Sequence, residues 1–288
     1  MKYLSRRAFV RKSAMGLGGA WALSQIPGLL RARTPPGFSD FPIGFQTFPV
    51  RDRLAKDFAG TLRTMAGFGY QVLEMCSPPG YVGAGFGFLI NMKTAELRST
   101  ISDAGLTCPS CHFTFTELTD KLDDRIEFAQ QLGLTQMICS SFWLPATATI
   151  KDYQDASDKL NMCAEKIKKA GMQTGYHNHE MEFATRDGEL IYDAIMSRLD
   201  PQLVKMQFQT EVINLGYKAA TYFTKYPGRF ISSHLSDWTA EKKEVPIGQG
   251  IIDWKGFFAA AKTGGVKNIF VEMDFDKFKD SAAYLRSL

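Results

Sequence analysis

Eight times along this chain a short apolar run is followed by a stretch that repeats apolar residues at helical spacing, and that alternation restricts the fold more than any other feature. The runs cover 43–48, 72–75, 106–111, 136–139, 172–176, 204–208, 230–233 and 269–271. Between them, stretches such as 121–132 and 153–170 place apolar side chains every three or four positions. Several of these stretches close on glycine just before the next run, at Gly67/Gly69, Gly105, Gly133, Gly171 and Gly264/Gly265. A residue without a Cβ suits the left-handed end of a helix. Eight βα units in 288 residues predict a single-domain α/β fold, a closed (β/α)8 TIM barrel spanning residues 34–288. No Gly-x-Gly-x-x-Gly follows the first run, which argues against an open dinucleotide-binding sheet.

Residues 1–33 read as an address that precedes the barrel. Ser5-Arg6-Arg7-Ala8-Phe9 has the twin-arginine pattern, and the weakly apolar stretch 14–26 behind it is broken by Gly16, Gly18, Gly19 and Ser24. That stretch is too short and too polar for a good membrane span. The expectation is a twin-arginine signal peptide, a periplasmic protein, and membrane contact only during export. The leader carries seven Lys/Arg and no acid, so the body holds 27 basic against 30 acidic side chains, a net of −3. A slightly acidic body argues against a phosphate-backbone surface, and no nucleic-acid partner is expected. Five cysteines remain, of which Cys108 and Cys111 have redox-pair spacing. They lie inside an apolar run rather than at a helix start, where thiolates are activated, so buried inert thiols are expected.

In a barrel, chemistry collects where strands end. The second run ends in Glu74 and the third in His112. The fifth ends in Tyr176-His177-Asn178-His179-Glu180, with Glu182 beyond. The sixth ends in Gln209 with Glu211 nearby, the seventh in His234 with Asp237 after it, and the eighth in Glu272 with Asp274 after it. All four histidines of the chain therefore sit at strand ends. His177, His234 and Glu272 lie on separate strands that ring closure brings around one centre. Imidazole nitrogen with carboxylate oxygen suits a borderline divalent ion such as Mn²⁺, Zn²⁺ or Co²⁺. Glu182 could equally be paired with Arg186, and Glu74 could cap the barrel core.

The chain resembles the sugar phosphate isomerase/epimerase family of the xylose-isomerase-like barrel superfamily. The resemblance is carried by Gly44-Phe45-Gln46-Thr47-Phe48-Pro49-Val50-Arg51-Asp52, by Tyr176-His177-Asn178-His179-Glu180-Met181-Glu182-Phe183, and by Tyr226-Pro227-Gly228-Arg229-Phe230. It continues in His234-Leu235-Ser236-Asp237, in Ile247-Gly248-Gln249-Gly250-Ile251-Ile252-Asp253-Trp254 and in Val271-Glu272-Met273-Asp274. It implies one divalent metal held from the last four strands, which here fall on His177, Gln209, His234 and Glu272. Family members commonly carry Asp where this chain has Gln209, so the site is one charge poorer and metal affinity should fall. The usual Lys of His-x-Lys-Asp is replaced by Ser236, which disfavours a phosphorylated substrate.

The resemblance further implies a metal-dependent isomerase or epimerase acting on a sugar or keto-sugar. A proton next to a carbonyl would be removed to give an enediolate. Glu272, Glu182 and Glu74 are the candidate bases, and His112 a candidate donor to a substrate oxygen. His179, Asn178, Asp237 and Trp238 are candidate substrate contacts. Trp143 and Trp254 could also stack on a sugar face, although Trp254 suits packing at the helix start after Asp253. Two alternatives stay open: an exported 3-keto-glycoside lyase using the same site, and a non-catalytic periplasmic sugar-binding barrel. A small-molecule sugar is the expected partner, and a homodimer stays an open expectation.

Overall fold

The computed structural model describes residues 41–288; the twin-arginine leader read in residues 1–33 lies outside them. Eight parallel strands close into a barrel: β1 (Ile43–Gln46), β2 (Val72–Cys76), β3 (Thr107–Phe113), β4 (Gln136–Cys139), β5 (Gln173–His177), β6 (Val204–Gln209), β7 (Phe230–Leu235) and β8 (Asn268–Val271). Each strand pairs with its neighbours in chain order, and β1 closes the ring on β8 through Gly44 opposite Phe270. The larger helices packed outside include α1 (Phe58–Phe68), α2 (Thr94–Asp103), α3 (Leu122–Leu132), α4 (Ile150–Lys169), α5 (Trp254–Gly264) and α6 (Phe278–Ser287). Gly69, Gly105, Gly133, Gly171 and Gly265 all take left-handed φ where a helix gives way to a strand, as the glycine spacing predicts.

Successive strand residues point to opposite faces of the sheet, so the barrel has two distinct cores. Outward-facing Phe45, Phe208 and Phe230 are buried against helices, and Phe208 and Phe230 meet Phe223 in edge-on contacts. Removing each such ring from water contributes about 1.5–3 kcal/mol. The inward face is polar toward the carboxyl ends of the strands. One layer holds Gln46, Glu74, Ser110, Gln207 and Ser232; the next holds Cys76, His112, His177, Gln209 and His234, all buried. Strand register sets these layers: Glu74 lies opposite Ser110 and Cys76 opposite His112, while Gln207 lies opposite Ser232 and Gln209 opposite His234.

All five cysteines are free, and all are buried as the sequence predicts. Among the described residues, no helix is long and apolar enough to cross a membrane.

Candidate active site at the barrel mouth

The four histidines converge. Ring centroids of His177 lie 4.9 Å from His112, 4.3 Å from His234 and 4.7 Å from His179. Above them opens a cavity of about 420 Å³, walled by Trp143, His179, Gln209, Trp238 and Glu272 among others.

Glu74 sits beneath the imidazoles, fully buried and off the cavity wall. Its Oε1 accepts from Ser110 Oγ (2.5 Å) and Gln207 Nε2 (2.8 Å), and its Oε2 from Gln46 Nε2 (2.7 Å) and His234 Nε2. Burial pushes its pKa up, but His112 and His234 outweigh that and hold the carboxyl well below the usual range. A carboxylate with four donors and no exposure is a counterion for the imidazoles, not a base for substrate.

His234 bridges two carboxylates, Nε2 to Glu74 and Nδ1 to Glu272 Oε2 (2.8 Å). Burial alone would neutralise this ring; Glu272 and Glu74 instead raise its pKa far above the ordinary histidine value. Both ring nitrogens then donate. Burial likewise pushes Glu272 up, and the His234 charge and hydrogen bond bring it down to about 2. Gln209 Nε2 donates to the same Oε2 (2.8 Å), so Glu272 Oε1 accepts no hydrogen bond from the described residues. The Glu272 side chain is 20% exposed and lines the cavity.

His177 is held neutral, chiefly by burial and then by the neighbouring His234 charge. Burial also lowers His179, to about 4. His112 Nε2 lies 2.6 Å from Gln207 Oε1. Since Gln207 Nε2 donates to Glu74 and Ser232, its oxygen must accept, so His112 Nε2 carries the proton and shares it between Gln207 Oε1 and Glu74 Oε2, which lies 3.1 Å away. The expected donation from His112 to a substrate oxygen is therefore not available from Nε2.

Three expected contact or base residues serve other groups. Asp237 is buried and off the cavity wall: Oδ2 accepts from Gly248 N (2.9 Å), Gly250 N (3.1 Å) and Trp254 Nε1 (2.8 Å), and Oδ1 from Trp238 N (3.0 Å) and Ile252 N (3.3 Å). A Cβ on Gly250 would stand 2.1 Å from Asp237 Oδ1, which explains the glycine there. Asn178 is buried and accepts from Gln209 N (3.3 Å), fixing the end of β6. Glu182 meets neither substrate space nor Arg186; it accepts from Ser141 Oγ (2.6 Å), Tyr176 OH (2.8 Å) and His179 N (2.7 Å). Burial raises its pKa, and those three donors offset part of the rise. Trp238 does line the cavity, its indole N–H donating to Ser236 Oγ (3.0 Å).

Nitrogens of His112, His177 and His234 lie within 4.8 Å of one another, a group able to hold a metal ion. His177 Nδ1 and Gln209 Oε1 are buried without hydrogen-bond partners, as expected of atoms with lone pairs turned to a cation. His234 offers a lone pair only after releasing a proton shared with a carboxylate. The residues thus fit a divalent ion, with His112 joining the expected His177, Gln209, His234 and Glu272 around the same space.

Sequence reasoning left out the supporting layer of Ser110, Gln207 and Ser232. Its signal is a polar residue two positions before each mouth residue, in Ser110-Cys111-His112, Gln207-Phe208-Gln209 and Ser232-Ser233-His234. It also gave Glu211 no role, although Glu211 lines the cavity and burial, with Glu180 and Glu272 nearby, raises it to about 7.

The family model of the xylose isomerase-like TIM barrel matches residues 62–288. Two solved sugar phosphate isomerase/epimerase structures from Parabacteroides distasonis ATCC 8503 are 23% and 24% identical to this chain, with TM-scores of 0.75 and 0.72. The matches cover 89% and 85% of this chain and 96% and 98% of theirs. An L-ribulose 3-epimerase structure is 14% identical, with a TM-score of 0.58 over 86% of either chain. These likenesses show a shared fold. No curated protein matches the sequence.

Proposed function

The chain belongs to the xylose isomerase-like TIM barrel family, and on that premise we propose that it is a sugar isomerase or epimerase that removes a proton next to a carbonyl. One observation carries the reading: Glu272 presents an unbonded carboxylate oxygen to the cavity while His234 and Gln209 fix the other.

Glu272 Oε1 takes the C–H proton, and the electron pair left behind moves onto the neighbouring carbonyl oxygen to give an enediolate. Returning the proton to the former carbonyl carbon, while the hydroxyl proton of the first carbon passes to the former carbonyl oxygen, isomerises the sugar; protonation of the first carbon on its opposite face, by a second acid, epimerises it. A carboxylate near pKa 2 is a weak base, so the His234 hydrogen bond to Glu272 must loosen as the proton moves. A divalent ion (Mn²⁺, Zn²⁺ or Co²⁺) held by His177, Gln209, His234 and Glu272 would supply Lewis-acid stabilisation of the developing oxyanion. Trp238 walls the substrate, and His179 contributes a neutral imidazole beside it.

Elimination from the same enediolate is the second reading. It applies where the next carbon bears a leaving group, and the reach of the cavity out to Trp143 favours it by leaving space for such a substituent. Export through the twin-arginine leader, placing the reaction in the periplasm, belongs to this proposal as well.

Keto-sugars and 3-keto-glycosides incubated with the protein and Mn²⁺ in deuterated water, followed by NMR, test it. Deuterium should enter at a carbon next to the carbonyl, and Glu272→Gln should abolish exchange while sugar binding persists. Undiminished exchange in Glu272→Gln would remove this residue as the base.

A further inference from the structure

Two features of the cavity wall have no role in proton removal. After β4 the chain runs Ser140-Ser141-Phe142-Trp143, and Ser141 (φ 155°) and Trp143 (φ 51°) both hold backbone angles that residues with a Cβ avoid. Trp143 is 55% exposed, so burial of the residue does not compensate for the conformation. The turn is instead imposed from beneath. Ser141 Oγ donates to the buried Glu182 carboxylate (2.6 Å) and lies within reach of Trp143 N (3.4 Å). Phe142 wedges between Phe115 and Tyr176, with centroids 4.9 and 4.6 Å away. The outcome is an indole held out at the cavity edge, 4.8 Å from the His179 ring. Backbone strain that the surroundings over-determine, at the rim of a cavity, marks a group whose placement matters for binding.

The second feature is charge. Glu211, Glu244, Glu272 and Asp274 line the cavity, and among the described lining residues none is Lys or Arg. Lys277 bonds Asp274 (3.0 Å) and Asp276 (3.2 Å) and lies 3.4 Å from Glu244, so its charge is already matched. A phosphoryl group beyond the histidine floor would meet like charge with no lysine or arginine on the wall to receive it.

We propose that the ligand is an unphosphorylated glycoside whose first ring lies over the histidine floor and whose second ring stacks on Trp143. The cavity, about 420 Å³, falls in the range of sites that enclose ligands larger than a single small ring. The proposal rests on the reading of the cavity as a sugar site.

Calorimetric binding of cellobiose, maltose and lactose, of their component hexoses, and of hexose 6-phosphates tests it. At least one disaccharide should bind about tenfold more tightly than its hexoses, and the phosphates about tenfold more weakly than the hexoses. Trp143→Gly should abolish the disaccharide advantage, leave hexose affinity unchanged, and leave the melting temperature equal or higher because glycine relaxes the φ of 51°. Trp143→Phe should restore part of the advantage. Equal loss for hexose and disaccharide in Trp143→Gly overturns the proposal, as does phosphate binding as tight as hexose binding, or no disaccharide binding at all. Disaccharide preference without any C–H exchange would sink the catalytic reading and leave the platform standing; exchange on disaccharides that does not depend on Trp143 would do the reverse.

Discussion

Replacing Asp237 by alanine removes the acceptor on which the loop over the barrel mouth converges. Five donors lose their partner, three on Oδ2 and two on Oδ1. They do not count equally. Gly248 is exposed and Gly250 and Ile252 half-buried, so water takes over those backbone N–H groups at little loss. The Trp254 indole is buried and has no substitute. Buried donors stripped of a charged acceptor lose about 1–3 kcal/mol each. Relief of the desolvation of Asp237 itself offsets part of this, leaving a net loss of about 1–2 kcal/mol. For a domain of this size that corresponds to a fall in melting temperature of roughly 2–8 °C, read by far-UV circular dichroism. Asp237→Asn should be nearly as damaging, because whichever way the amide turns it aims an NH₂ at two or three N–H donors. Trp238 sits on the same loop, so sugar affinity should fall with stability. A loss below about 1 kcal/mol for Asp237→Ala would refute the assignment of Asp237 as the organiser of this loop.

Gly250→Ala attacks the same contact from the other side: a Cβ 2.1 Å from Asp237 Oδ1 and 2.5 Å from the Trp238 carbonyl should cost about 1–3 kcal/mol in urea unfolding, and a neutral result would show that the loop yields. Gln209→Asp should tighten Mn²⁺ at least about tenfold by adding a charge to the ligand set, while lowering the metal-free melting temperature, since the new carboxylate would lie against Glu272 where an amide now donates at 2.8 Å. Unchanged Mn²⁺ affinity by calorimetry would remove this position from the metal's reach. Burial raises the thiol pKa of Cys108 to about 12 and that of Cys111 well above its ordinary value, so the neutral form dominates below those values. Ellman's reagent at pH 8 should therefore label the native protein slowly and all five thiols after denaturation; one rapidly reacting equivalent in the native state would contradict it.

The barrel was legible because its signal is local and repeated: each apolar run and each closing glycine lies within its own βα unit. The histidines were legible for a related reason, since a residue at a strand end has one direction to point once the ring closes. What escaped depends on contacts between units. Nothing near Glu74 in sequence says that His234 lies against it, 160 residues on, so a base and a counterion look alike there. Asp237 reads as a mouth residue because its acceptors are filled by a loop 11–17 residues later, and the glycines of that loop make sense only beside its carboxylate. Glu182 pairs with Ser141, 41 positions earlier, rather than with the arginine four residues away. The supporting layer was visible as a period of two but carried no chemistry of its own, and so drew no attention.

The position of Glu74 on β2 bears on how the molecule comes to be. Its carboxylate is reached from β1, β3, β6 and β7, with the two farthest partners 133 and 160 residues away in sequence. Contacts of such separation form only after most of the chain has been drawn into the ring. A fragment ending after β4 would bury an acid with no imidazolium from β7 to match it, and a fragment beginning at β5 would keep that imidazolium with Glu272 but without Glu74. Neither half holds the full set of partners, so the cluster of Glu74 with the histidines is complete only once the ring has closed.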